Sequence, residues 1–577
     1  MNVRRVSWVS MAFLLSFPLC FSSHAHAALI PVNVPSVAPS SESGVPLMQR
    51  CQAIETEKHP KWLDNQPNDL IVSAQFHPPS KRITTSHCLV SGVMSKRLGP
   101  NGERYETRFE LRLPSRWQSR FAYQFNDSLY QANPAFGTVT GMRASEYAIN
   151  QGFAVVSSNS GLPIQPSSHP LLLDPQARKD LAYAAVQGVN PVARQLTEYF
   201  YQSPIKFAYG MGQADGGRVA MVAATRFPTM FDGLLVGYPG LNAPKAALQH
   251  PWDVQMLSRV SNDIRQSLSA RDLDFFAHQL LARCDGLDGA YDDMIFAIDA
   301  CQNVFNPNAL VCKSDFDRDC LALEKVGALA RMHRGPHNNK NQALYTDWLF
   351  DAGIRSDHWR QWRVNSTVSA WDGKPMSVAL GATALAQLYS TPPIAVKPDI
   401  YALESYLQAF DFDRDAPAIS ATTEYFTDSA MTLMTPPNVA KPTLTAFKQQ
   451  GGKMLVFHGN SDPVFSVKDT MRWYDFLDFA LEGRAHELVR FYRIPGMVHG
   501  QGGPAADQFN LLSPLMAWVE QQKAPQSIVA ATRSDNPDVT DSMKGITRPL
   551  CPYPSYARYR SGNPREASSF QCVRVAE

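Results

Sequence analysis

The sequence predicts an α/β fold: a doubly wound, mostly parallel sheet interrupted by one large insertion. Three observations carry this reading. Apolar runs at 152–156 and 205–211 flank a helical pattern at 175–201. The same alternation resumes at 453–459 and 487–492 and closes with a helix near 509–522. Continuous apolar runs separated by helices are the mark of parallel strands covered on both faces. Finally, 577 residues exceed what one hydrophobic core usually serves, so a main domain carrying an insertion is expected.

Taken in order, the chain opens on Arg4 and Arg5, an apolar stretch at 6–21 and Ala25-His26-Ala27. That is the pattern of a signal peptide, 1–27, removed after Ala27. The apolar stretch is too short for a membrane span, and no lipobox-like small residues precede Cys20. A secreted protein, periplasmic or extracellular, is expected. Nine cysteines are present and Cys20 leaves with the signal, so eight remain in an oxidising compartment, an even number that favours four disulfides. Spacing does not fix their connectivity. The eight fall into sequential neighbours, Cys51 with Cys88, Cys284 with Cys301, Cys312 with Cys320 and Cys551 with Cys572, and this is the expected scheme. Alternation at 105–113 reads as an antiparallel strand with one wet face. The stretch 248–440 holds four of the cysteines and Trp348, Trp359, Trp362 and Trp371 in irregular context. It reads as a lid set into a core made of 28–247 and 441–577. A net charge of +2 gives no electrostatic case for nucleic acid or membrane surfaces as partners.

The run 205–211 ends in Gly212-Gln213-Ala214-Asp215-Gly216-Gly217-Arg218 and leads into a helical pattern at 219–226. This is the frame of a nucleophile elbow, small-x-nucleophile-x-small on a sharp strand-to-helix turn. Asp462 follows the run 453–459 and His499 follows 487–492. The order nucleophile, acid, histidine is that of α/β-hydrolases. His499 would serve as base and acid while Asp462 fixes its tautomer. Taken singly, a turn-capping aspartate and a loop histidine would explain the same residues. At the apex itself stands Ala214, and a methyl group cannot attack a carbonyl. Asp215 is the neighbouring carboxylate that could substitute as nucleophile, but it sits one residue past the apex, where its side chain should point elsewhere.

The stretch 207–239, with Gly212-Gln213-Ala214-Asp215-Gly216-Gly217-Arg218, Arg226-Phe227-Pro228, Phe231-Asp232-Gly233 and Gly237-Tyr238-Pro239, resembles the tannase and feruloyl esterase family. So do Leu173-Asp174-Pro175-Gln176-Ala177-Arg178, the segments around Asp462 and His499, and Arg548-Pro549-Leu550-Cys551-Pro552-Tyr553-Pro554. The resemblance covers nearly the whole mature chain and implies an α/β-hydrolase fold and serine carboxylic ester hydrolase chemistry on aromatic, phenolic esters. It also exposes departures. The family's elbow reads Gly-Cys-Ser-x-Gly-Gly, where this chain has Gln213 and Ala214. The family's histidine is followed by a cysteine bridged to the elbow, where this chain has Gly500. The Gly-rich loop that supplies an oxyanion-hole amide in relatives stands here as Gln124-Phe125-Asn126-Asp127-Ser128. The backbone amides of Asp215 and Asn126 are the oxyanion donors that remain.

The segment Cys284-Asp285-Gly286-Leu287-Asp288-Gly289-Ala290-Tyr291-Asp292-Asp293-Met294 concentrates carboxylates in a Gly-containing loop, a hard-oxygen set suited to Ca²⁺. Its likeness to the family's lid calcium site implies Asp285, Asp288 and Asp292 as ligands with the carbonyls of Ala290 and Met294. Asp293 stands where relatives usually have glycine.

Three functions compete. The first is a pseudoenzyme on an esterase scaffold that binds an aromatic ester-like small molecule without efficient turnover. The second is an active aromatic-ester hydrolase, working through an unorthodox site or altered at its serine. The third is a non-catalytic binding or structural protein. One engineered Ser→Ala change would account for Ala214 but not for Gln213, Gly500 and the 124–128 loop. Divergence from esterase chemistry is therefore the favoured account.

Overall fold

The computed structural model describes residues 46–56, 69–100, 102–127, 133–162, 174–314 and 317–574. The expected leader, Ser128 and Leu173 lie outside them. From Leu47 onward the chain forms one compact unit.

Its centre is a nine-stranded sheet ordered β1-β2-β3-β5-β4-β6-β7-β8-β9. The strands β1 (Ile71–His77), β2 (His87–Leu98) and β3 (Arg104–Pro114) form an antiparallel meander, and β3 pairs antiparallel with β5 (Phe153–Ser158). From there the pairing is parallel through β4 (Arg120–Gln124), β6 (Phe207–Gln213), β7 (Gly233–Gly237), β8 (Lys453–Gly459) and β9 (Val489–Ile494). This is the mostly parallel, doubly wound sheet of an α/β-hydrolase. Along β3, alternate residues are buried and wetter, as the sequence pattern requires of a strand near the sheet's edge. Every residue of β5 and of β7 is buried, which is why those strands show no period of two.

The helical stretch 175–201 forms as Pro175–Lys179, a wider π-turn at Asp180–Ala184 and Ala185–Tyr201. Asp174 caps its start, the side chain accepting the Gln176 N–H at 2.8 Å. The final helix is Leu512–Gln521. The strand expected at 487–492 begins two residues later, because Ala485–Glu487 is wound into a 3₁₀ turn.

Between β7 and β8 the chain leaves the sheet for a long run of helices and turns, among them Gln249–Ser258, Ala270–Cys284, Leu323–Arg334 and Ile400–Gln408. This run does not stand apart. One hydrophobic cluster joins Val219, Leu234 and Val456 of the sheet layers to Phe276, Leu329, Trp359 and Leu385 of the inserted segment. Disulfides connect Cys51 to Cys88, Cys284 to Cys301, Cys312 to Cys320 and Cys551 to Cys572, the sequential scheme. Among the described residues no helix is long and apolar enough to cross a membrane.

Candidate active site

Three loops at the carboxyl ends of β6, β8 and β9 meet at one place, where open α/β sheets bind ligands. The strand β6 turns sharply into the helix Ala214–Arg226, and Ala214 takes φ +51° at the apex. A non-glycine residue in that region costs of order 1–3 kcal/mol and persists where its surroundings enforce it. Here the enforcement is tight packing: a Cβ on Gly212 would lie 2.3 Å from the Gly216 carbonyl, and one on Gly216 would lie 2.7 Å from the Phe125 carbonyl.

His499 Nδ1 lies 2.9 Å from Asp462 Oδ2 and 3.1 Å from Oδ1. A carboxylate only accepts, so Nδ1 carries the proton and Nε2 is left to face the cavity chemistry. Asp462 is buried and held from several sides. Its Oδ1 accepts the backbone N–H groups of Val464 at 2.7 Å and Phe465 at 3.1 Å, and His458 Nε2 lies 3.3 Å from Oδ2. Burial alone would raise its pKa, but the His499 charge and the His458 and His499 hydrogen bonds outweigh it and hold the carboxyl well below the usual carboxylate range. The His499 ring is surrounded by Tyr238, Phe465 and Trp362, with centroids at 4.9, 5.7 and 5.9 Å.

The inserted segment braces this pair. Asp351, fully buried, accepts the Ser461 hydroxyl at 2.8 Å and the Gly496 N–H at 2.6 Å, and so ties the acid loop to the histidine loop. Arg363 donates to the Pro463 carbonyl at 3.0 Å and packs its guanidinium 4.0 Å above the Trp348 ring.

The elbow side is held by different groups. Gln213 accepts the Thr140 N–H at 2.7 Å and donates to Asp127 at 2.8 Å, joining β6 to the loop after β4. A Cβ on Gly500 would meet only the Tyr238 hydroxyl, at 3.8 Å. Asp215 is bound by Arg218 through Nε at 2.7 Å and a second nitrogen at 3.0 Å, with the guanidinium fully buried. Its carboxylate is engaged in structure, away from a nucleophilic role.

Ala214, Asp215 and His499 line one cavity of about 250 Å³ with Asp127, His250, Trp362 and Phe465. Asn126 is buried beside it, its side-chain oxygen accepting the Asn133 N–H at 3.1 Å, and the neighbouring Asp127 is the residue that reaches the cavity wall. Among the aromatic residues of the insertion, Trp348 and Trp359 are buried in the core and Trp362 lines the cavity. No spacing in the sequence distinguishes Trp362 from the others, nor marks Asp351 or His250, because their roles arise only when the insertion folds over the sheet.

The acidic loop lies apart from this cavity. Asp285, Asp288 and Asp292 are buried, and each accepts backbone N–H groups: Asp292 and Asp293 to Asp285, Ala290 and Phe296 to Asp288, Met294 to Asp292. Asp292 is also paired with the buried Arg548. Burial, reinforced by the Asp292 charge, pushes Asp288 up to about 8, and burial lifts Asp285 to about 6. The donor set is all hard oxygen, and Asp285 and Asp288 have no cationic partner among the described ion pairs, so the residues suit a cation. Among the described residues, however, no three acidic, histidine or cysteine side chains converge on one point. Asp293 takes φ +63°, the left-handed conformation that favours glycine, which Asp tolerates better than most residues.

Known proteins share this chain's pattern over most of its length. A mono(2-hydroxyethyl) terephthalate hydrolase from Piscinibacter sakaiensis is 34% identical over 526 residues, 84% of this chain and 85% of that protein. A probable feruloyl esterase from Arthroderma benhamiae is 25% identical over 522 residues, 87% of this chain and 88% of that one. The crystal structure of feruloyl esterase B from Aspergillus oryzae superposes with a TM-score of 0.69 at 19% identity, covering 92% of this chain and all of that one, and at that identity the likeness speaks for the fold. Residues 88–573 match the family described as tannase and feruloyl esterase, and the chain belongs to it.

Proposed function

We propose that this chain is an exported esterase-fold binder of aromatic, ester-like small molecules, impaired in turnover because the nucleophile position is Ala214. The observation that carries the reading is the pairing of an intact His499–Asp462 dyad with a methyl group at the elbow apex, both on one apolar-walled cavity. With serine at the apex, His499 would take its proton during attack on a carbonyl and return it to the leaving group. Asp462 would hold the ring, and the Asp215 amide at the helix N-terminus would receive the oxyanion. Without the hydroxyl no acyl-enzyme can form. An unorthodox nucleophile is disfavoured by the Asp215–Arg218 pair.

The test is p-nitrophenyl ester turnover by this protein, by Ala214→Ser, and by Ala214→Ser with His499→Ala. Background activity, a gain on adding serine and its loss on removing His499 are expected. Robust turnover by the Ala214 protein that survives His499→Ala would sink the assignment. The same reading takes Ca²⁺ as a structural ion of the inserted segment, which acts as a lid at 248–440, held by Asp285, Asp288 and Asp292 with the Ala290 and Met294 carbonyls. It also takes export to follow cleavage after Ala27, which N-terminal sequencing of the mature protein checks.

A further inference from the structure

The charges around the cavity do not suit the anion that ester hydrolysis builds. Asp127 reaches the wall beside Ala214, half-buried, and its carboxylate is held by two neutral donors, Asn133 Nδ2 at 2.7 Å and Gln213 Nε2 at 2.8 Å. Among the described residues it forms no ion pair. No lysine or arginine stands among the described lining residues. The Asp215 charge is matched by Arg218, and Asp462 is matched by His499 only when that ring is protonated. Burial, with the Arg363 guanidinium, lowers His250 to about 3, so it adds no positive charge near neutrality. Arg363 itself faces Asp253 at 3.5 Å. The positive end of the helix Ala214–Arg226 offers about half a charge, less than the single uncompensated carboxylate. The rest of the wall is aromatic and aliphatic: Trp362, Phe465, Tyr389 and a set of alanines.

An unmatched carboxylate beside aromatic faces is the composition that recognises an organic cation, through Coulomb attraction and the negative faces of the rings. We propose that the cavity takes an aromatic small molecule bearing an ammonium group, with Asp127 as its counter-charge and Trp362 and Phe465 as its walls. This rests on the binding reading above and names the ligand class for that same site. A substrate carboxylate, by contrast, would meet Asp127 with no cation to shield it.

Isothermal titration with three ligands of one shape tests this: 2-phenylethylammonium, 2-phenylethanol and 3-phenylpropanoate. The full chain should bind the ammonium about tenfold more tightly than the alcohol, a difference of about 1.4 kcal/mol, and bind the carboxylate most weakly. Asp127→Asn keeps the shape of the side chain and should bring the ammonium to the level of the alcohol. If the alcohol binds and the ammonium is no tighter, the cation inference fails and the binding reading stands. Binding of none of the three overturns both. A preference that persists in Asp127→Asn overturns the role of that residue. Should Asp127→Asn not fold, the order of the three ligands on the unaltered chain still decides, because equal or tighter binding of the carboxylate is incompatible with an uncompensated acid in the wall.

Discussion

The two sides of the cavity are built with unequal redundancy. On the His499 side the imidazole is held by Asp462, Asp462 by two backbone amides and His458, and both loops by Asp351 from the insertion. On the Ala214 side the strained turn is kept, but its polar supports are Gln213, Thr140 and Asp127, and the apex is a methyl. The contrast teaches that a sharp turn and a histidine–carboxylate pair can be held by the fold whatever residue stands at the apex. The backbone turn and the dyad are locked by packing with the rest of the fold, whereas the apex side chain is a single methyl group.

The contrast sharpens most if chemistry can be restored. Loss of a serine nucleophile typically costs about six orders of magnitude, and one missing oxyanion donor costs about 10²–10³ in kcat. Ala214→Ser should therefore gain about 10³–10⁴ in aryl-ester turnover and stop well short of an ordinary esterase. Adding Asp127→Asn to it should raise kcat by about a further tenfold, since it removes a negative charge near the developing oxyanion. A double variant slower than the single one would place the deficit elsewhere.

Next in size is the brace. Asp351→Ala leaves the Ser461 hydroxyl and the Gly496 N–H buried without their acceptor, at about 1–3 kcal/mol for such groups. Its melting temperature should fall by several degrees. In the Ala214→Ser background kcat should drop with KM little changed, and Asp351→Asn should recover part of it. If stability falls but kcat holds, the brace is structural only.

An effect of similar size on stability, with none on kcat, is expected from calcium. Millimolar calcium added to EDTA-treated protein should stabilise it by about 2.7 kcal/mol at a hundredfold excess over Kd. An unchanged melting temperature would remove the metal from the acidic loop and leave Arg548 as its cation.

A pH effect acts through two buried histidines outside the cavity wall. Burial and Arg112 lower His87 to about 4, and burial and Arg363 lower His333 to about 3. Both rings stay neutral in the fold while the unfolded chain takes up protons below about 6.5, so stability falls as the pH drops. Each contributes up to about 1.4 kcal/mol per pH unit. Urea unfolding at pH 7, 6 and 5 should show the decline, and His333→Phe should flatten it. A slope unchanged in that variant would assign the decline to other groups.

What the sequence made legible follows from the physics of each signal. The strand-to-helix turn at Ala214 and the order of Asp462 and His499 could be read because glycine spacing and chain order are properties of the string itself. The strands β4 and β7, five residues each, were not read as strands, for runs so short carry no period that separates strand from buried helix. Asp127 and Asp351 carry no signal as site residues because their partners lie far along the chain: Gln213 for Asp127, and Ser461 and Gly496 for Asp351.

The disulfides carry a consequence for biogenesis. Their sequence separations are 37, 17, 8 and 21 residues, and each closes on the next cysteine to emerge. A chain threaded outward from its N-terminus can therefore seal every bridge in order, with no need to wait for the sheet halves on either side of the insertion to meet. Mispaired thiols would need a cysteine that has not yet arrived. The most non-local strand pairing, that of β8 with β7, is then left to noncovalent assembly, and a chain in which that step fails would still be fully oxidised. Thiol status would report that covalent closure is complete, and would say nothing about whether the cavity had formed.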